Sequence, residues 1–280
     1  MIKSLFVSLL LLGLLPAEEP TDFIQVDEDE GRARLQTSIT TYEKEDLAIT
    51  LIGAVHIGDE GYYQKLNETF RDYEVVLFEL IGGEKAAQFL NGQGQPEKPV
   101  DGRPAEGLRD IYGSFARSMQ LSEQVHHIDY TADNFVHADL TLAEYDDVMD
   151  GKEDEILAFA FEANAKNSEI TGDAFGGVDM GLLMRAILSG DSSGLKLQMM
   201  KNMDTGDEAA AAIAGDNIII GERNEKCFLI LDEQIKAGKT NIGIFYGAAH
   251  FPEMEERLLT RGFEKTTHRW LTAWDVEKPE

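Results

Sequence analysis

The chain has 280 residues, of which 52 are acidic and 25 basic, giving a formal charge of -27 and a pI near 4.5. That balance leaves too little basic surface for a nucleic-acid or anionic-membrane partner, and its negative background potential favours a bound cation. With Cys227 as the single cysteine no internal disulfide forms, and the length suffices for one sizeable domain carrying an insertion.

The chain opens with Met1-Ile2-Lys3 and an apolar run over residues 5–15, LFVSLLLLGLL, with the small residue Ala17 ahead of two glutamates. This is the pattern of a signal peptide over residues 1–17, cleaved after Ala17. The run is shorter than the ~20 apolar residues that span a bilayer. The mature protein is therefore expected to be exported, periplasmic or extracellular, without membrane insertion. Leu15 fits a small-x-small cleavage rule poorly, which keeps an uncleaved anchor as the alternative.

Residues 18–32 are acidic and poor in apolar side chains, and read as a linker ahead of one α/β domain over residues 33–280. Residues 34–42 alternate, with Leu35, Thr37, Ile39 and Thr41 on one face, and predict a half-exposed strand. A turn at residues 43–45 would make it a hairpin with the apolar run 47–55. That second run ends in Gly53-Ala54-Val55-His56 and hands over to a helix for which Asp59 is the N-cap. Residues 74–79, EVVLFE, are apolar on both faces and predict a buried strand whose last residue is Glu79. A surface loop over 91–106 and a helix over 108–121 follow. Residues 125–130 read as a strand, on which His126 and His127 would point to opposite faces and so could not readily grip one ion. His137 precedes a helix capped by Thr141 and borders the site.

From 139 to 214 the pattern becomes helical and Gly-punctuated, with Met180, Met184, Met199, Met200 and Met203, and reads as a helical insertion over the carboxyl edge of the strands. Residues 218–235 predict a helix that includes Glu222-Arg223-Asn224, and Cys227 falls on its packed pattern. Residues 241–259, NIGIFYGAAHFPEMEERLL, then repeat the earlier device: an apolar run, Gly247-Ala248-Ala249-His250, and a helix entered through Pro252.

The expected fold is a mixed sheet flanked by helices. In open α/β sheets, sites form outside the carboxyl ends of the strands. His56 and His250 would both project there, and a glycine ahead of each lets the backbone leave the strand freely. Glu79 at the mouth of a buried strand is costly unless it is paired, hydrogen-bonded or bound to metal. Two structural histidines and a solvated Glu79 are the plain alternative. His56, Glu79 and His250 form an N/N/O set that suits Zn, Mn, Co or Fe with one position open for water. Without metal, the same histidine and glutamate serve as general base and orienting acid. Arg223 would clamp a carboxylate or steady a developing negative charge, or else form a surface ion pair.

Gly53 to His56, Val76 to Leu80, Glu222 to Asn224 and Gly247 to His250, in this order and spacing, resemble the TraB/GumN/Tiki superfamily and its distant erythromycin-esterase-like relatives. The resemblance covers most of the chain after residue 32. Ala54 stands where that family usually has Thr, and Asn224 where it commonly has Asp. The resemblance implies a hydrolase acting on a peptide or protein substrate, with His56, Glu79 and His250 as ligands of a divalent metal (Mn, Co or Zn). It makes Glu222 a candidate general base and gives Arg223 the oxyanion. The esterase-like relatives imply instead a metal-independent ester or amide hydrolase, and the pheromone-shutdown members a peptide-sequestering module.

Mass spectrometry of exported protein should find a mature chain beginning at Glu18; a chain retaining residues 1–17 would overturn cleavage.

Overall fold

The computed structural model describes residues 21–82, 119–150, 180–204 and 218–278. They build one seven-stranded mixed sheet with helices on both faces. Strand β2 (Arg32–Lys44) is its long spine. The edge strand β9 (Glu264–Glu277) pairs antiparallel along one side of it. Along the other side run β1 (Ile24–Glu28) and then β3 (Leu47–Ala54), both also antiparallel to it. From β3 onward the sheet is parallel, in the order β3, β8 (Asn241–Gly247), β5 (Val75–Phe78), β7 (Phe135–His137).

The four parallel strands share a register row, Ile52–Phe245–Phe78–His137, so their carboxyl ends finish nearly level. Every residue of β5 is buried, as a strand covered on both faces must be. Alternation then divides its side chains. Val75 and Leu77 join the core under α6 (Ile218–Lys236) and α7 (Phe251–Thr260), where Phe228, Leu231, Phe251 and Met254 pack. Val76 and Phe78 join the opposite core, with Tyr62, Tyr63 and Leu66 of α1 (Glu60–Thr69) and with Trp274 of β9.

Two neighbouring parallel strands therefore exit to opposite faces: β3 leads to α1 on one side and β8 leads to α7 on the other. Such a divergence opens a crevice at the strands' carboxyl ends. The short ladder of β4 (Ile57–Gly58) with β6 (Ser122–Glu123) borders it, followed by the one-turn helix α2 (Gln124–His127).

Several expectations need correction. Residues 18–32 are not all linker, because Ile24 and Val26 pack against the core while β1 pairs with β2, and the acidic Asp27 and Asp29 meet Arg34. Strand β2 alternates as expected from Arg32 to Thr37, but from Ser38 to Thr40 it is buried on both faces. Thr37, Ser38 and Thr40 are as buried as Ile39, because β9 covers the edge that the hairpin leaves open. Residues 124–127 form a helical turn rather than a strand. Neither motif glycine needs a left-handed backbone; neither is among the glycines with positive φ. Gly53 is required by proximity instead, since a Cβ there would lie 3.0 Å from the Ser38 carbonyl.

The expected insertion over 139–214 is described in three pieces. Helix α3 (Leu142–Met149) carries a full capping box from Thr141 and Glu144, and stands beside the carboxyl edge through Lys226–Glu144. Helices α4 (Met180–Ser189) and α5 (Ser193–Asp204) do not cover that edge. They pack on the sheet face, where Ala186, Leu195 and Met200 share the core of Phe78 and Trp274, and α5 lies along β1 and β9. The loop over 91–106, most of the helix over 108–121 and residues 1–17 lie outside the described residues. Among the described residues no helix is long and apolar enough to cross a membrane.

Because α5 belongs to the core rather than to a detachable cover, Leu195→Ala should destabilise the whole domain by about 2–5 kcal/mol, as for other buried leucines. A chemical-denaturation midpoint unchanged in that variant would restore the detachable cover.

Candidate active site at the ends of the parallel strands

Just beyond the register row, each parallel strand delivers one polar side chain: His56 after β3, His250 after β8, Glu79 after β5 and Asp139 after β7. Helix α6 supplies Arg223 and Asn224 from the face above. Glu79, Asp139, Asn224 and His250 are all buried, and Arg223 is 16% exposed.

Arg223 is held from behind. Its Nε and NH2 donate to the two oxygens of Asp139 at 2.9 and 2.6 Å, a bidentate fork. Asp139 also accepts from the Leu140 amide at 2.7 Å. Burial works against the guanidinium charge, but the Asp139 hydrogen bonds and the nearby Glu79 charge outweigh it and hold the pKa above its usual value.

Forward of that fork the contacts lengthen. Arg223 NH2 lies 3.4 Å from Glu79 Oε2 and NH1 lies 3.4 Å from His250 Nε2. Glu79 Oε2 and His250 Nε2 are themselves 3.4 Å apart. Burial pushes the Glu79 carboxyl up; the Arg223 and His56 charges and the Gly247 amide hydrogen bond offset only part of that rise.

Asn224 sets the state of His250. Its Nδ2 donates to the His250 carbonyl at 3.3 Å and to Glu253 Oε2 at 2.6 Å, two acceptors that fix which end of the amide is nitrogen. The Asn224 Oδ1 is then an acceptor 2.7 Å from His250 Nδ1, so the proton sits on Nδ1 and the lone pair on Nε2 faces the cluster. Burial, with the Arg223 and His56 charges adding to it, pushes the imidazole pKa down to about 3. An Asp at position 224 would favour the imidazolium instead. Tyr246 packs edge-on against the ring, 5.1 Å between centroids, and its hydroxyl donates to the Ala138 carbonyl, tying β8 to the end of β7.

The other expected residues sit apart. His56 is exposed on the rim, with Nδ1 3.3 Å from Gln124 Oε1. It acts on Glu79 and His250 electrostatically, but among the described residues no hydrogen bond or ion pair joins it to them. Glu222 is exposed on α6. His137 ends β7 with Nε2 2.8 Å from the Leu80 carbonyl, and His126 is exposed. Cys227 is wholly buried, and burial raises its thiol pKa.

The N/N/O set expected to hold Mn, Co or Zn does not fit a cation here. Two of its members, Glu79 and His250, share the guanidinium of Arg223, a fixed positive charge pinned by Asp139 where the ion would have to stand. The third, His56, is turned to Gln124. Among the described residues no three His, Cys, Asp or Glu side chains converge to hold a metal.

Asp139 escaped the sequence reading, although its signal was that of Glu79, a carboxylate just past a strand. Comparison with protein-family models, with curated proteins and with solved structures finds no match.

The buried neutral histidine has a consequence for stability. An unfolded chain protonates position 250 near pH 6.5 and the folded chain only near pH 3. Between those values the unfolded state binds more protons, so this residue's contribution falls as the pH falls. Glu79 has the opposite sign, since its raised pKa makes folding less favourable as pH rises above its ordinary 4.5. The stability difference between wild type and His250→Gln isolates the histidine. It should shrink, as pH drops below 6.5, by up to about 1.4 kcal/mol per pH unit. Parallel stability curves for the two proteins would contradict a neutral His250.

Proposed function

We propose that this cluster is the active centre of a hydrolase that adds water to an acyl carbon, cleaving an ester, amide or peptide bond without a metal. What supports the reading is how bond strength is distributed. Asp139 and Asn224 hold Arg223 and His250 at 2.6–2.9 Å. The three inner groups meet one another only at 3.4 Å. The inner atoms are fixed in place yet under-bonded, as suits groups that await a reacting molecule.

In this reading a water sits against the Nε2 lone pair of His250 and the Glu79 carboxylate. Its oxygen attacks the substrate carbonyl while its proton passes to Glu79. The raised carboxyl pKa suits Glu79 to take a proton near neutral pH and to return it to the departing alcohol or amine as the carbon–heteroatom bond breaks. Arg223 faces the oxyanion of the tetrahedral intermediate. His250 orients the water and stays neutral throughout. His56, on the rim, meets the substrate outside the reacting atoms.

The test is hydrolysis of a panel of p-nitrophenyl esters and unstructured peptides by the full chain. Glu79→Gln, Arg223→Lys and His250→Gln should each lower kcat/KM by roughly 100-fold or more. The Glu79→Gln/His250→Gln double variant should lose little beyond either single one, because the pair acts as a unit. The acid limb of the kcat/KM profile should lie above the ordinary carboxylate value of 4.5. Chelators should leave the rate unchanged. Activity abolished by chelation and restored by Mn, Co or Zn would return the metal-dependent reading. Saturable peptide binding without turnover would put the sequestering module ahead.

A further inference from the structure

Strand β9 is one edge of the sheet, and at 14 residues it is a long one. Ser38 N donates to the Phe23 carbonyl at 3.0 Å, on the side of β2 away from β9. Its partner across the β2–β9 ladder, Trp270, therefore turns its own N–H and C=O outward, and by alternation so does His268. Arg269, between them, pairs inward with Ile39. Among the described residues no hydrogen bond meets the outward groups of His268 and Trp270.

Farther along, the same edge is closed. Asp59 N donates to the Ala273 carbonyl at 2.8 Å, and Asp59 Oδ2 accepts from the Asp275 amide at 3.0 Å. At the other end the register is broken by a bulge between Lys265 and Thr267. What stays open is the stretch 267–271. Thr267 and Arg269 are exposed on one of its faces, and Arg269 makes no ion pair among the described residues. On the other face His268 and the half-buried Trp270 meet edge-on, 4.8 Å between centroids, with His268 Nδ1 held 2.8 Å from Thr40 Oγ1. The nearby carboxylates of Asp22 and Glu255 act on His268, from that second face.

We propose that 267–271 is a docking edge for one extended strand of a partner protein, added antiparallel and carrying a carboxylate between two apolar β-branched residues. An open edge is a template for a further strand, and main-chain hydrogen bonds to it supply affinity while alternate side chains supply choice. The outward groups of His268 and Trp270 pair with two residues of the incoming strand, and the residue between those two lies opposite Arg269. Side chains so opposed approach to about 5 Å, where a carboxylate answers the free guanidinium. Beside His268 and Trp270 the flanking apolar residues cover the aromatic rings. A second copy of this chain fits less well. The register that sets His268 of one copy against Trp270 of the other places Arg269 opposite Arg269, between two chains of formal charge -27.

The experiment is an amide-resolved NMR titration of the ¹⁵N-labelled full chain with the capped peptide acetyl-Thr-Val-Glu-Val-Thr-amide. Two controls are the same peptide with Lys in place of Glu, and the Glu peptide N-methylated at both valines. In the free protein the amides of His268 and Trp270 should exchange quickly with solvent while that of Arg269 is protected. The Glu peptide should shift the two outward amides saturably and slow their exchange. The Lys peptide should bind roughly fivefold more weakly or worse, and the N-methylated peptide should not bind. Arg269→Glu, a change on an exposed side chain, should reverse the ranking of the Glu and Lys peptides. The proposal is overturned by the absence of a saturable shift, by equal binding of the N-methylated peptide, or by a ranking indifferent to residue 269. Outward amides that are already protected in the free protein, and lose that protection on dilution, would make a second copy the occupant and overturn it too.

Discussion

Arg223 reaches the carboxyl edge of the sheet with both Nε and NH2 bound by Asp139, and most of the site's behaviour follows from that fork. A guanidinium so held does not swing out to solvent, and its charge is fixed beside two other buried ionisable groups. Removing Asp139 would leave Arg223 buried and uncompensated; removing Arg223 would leave two carboxylates facing each other. Either loss is expected to be far worse than replacing the pair together. Burial separates the titrations of the two neighbours, raising Glu79 and lowering His250, while the Arg223 charge pulls both down. Two groups 3.4 Å apart are thus driven to opposite protonation preferences, the condition under which one accepts protons and the other only orients.

Topology makes the fork possible. Glu79, Asp139 and His250, scattered in sequence, become neighbours because β8 and β7 flank β5 on its two sides. The two Gly-x-x-His segments leave adjacent strands toward opposite faces. One histidine is therefore carried to the solvent rim, while the other turns under α6 into the reach of Asn224. Their common sequence pattern does not give them a common role.

Three of the parallel strands, β3, β5 and β8, were legible because burial on both faces writes itself as continuous apolar runs, as in Val75 to Phe78, and because His56, Glu79 and His250 interrupt such runs at their ends; the three-residue β7 is too short to leave that signal. Other features needed tertiary context. Strand β1 is acidic because its outward side chains answer Arg34 across the sheet, a compensation that composition alone cannot reveal. The buried threonines of β2 depend on a partner strand more than 200 residues away. Asn224 reads as a gap in a familiar acidic pattern, yet its amide is what fixes the imidazole tautomer, since only a group that both donates and accepts can satisfy His250 and Glu253 at once. Arg223 reads in the sequence only as a cation near the expected ligands; the fold sets it 3.4 Å from both Glu79 and His250.

His250 is held neutral, with its proton on Nδ1 and its lone pair turned toward Glu79 and Arg223. A long-range ¹H–¹⁵N correlation spectrum of the histidine side chains, recorded as a pH series, reads both tautomer and titration directly. The expected result is an Nδ1-protonated, Nε2-free ring for His250 that does not titrate until the pH approaches about 3. A ring that titrates near the ordinary 6.5, or that carries its neutral proton on Nε2, would contradict it.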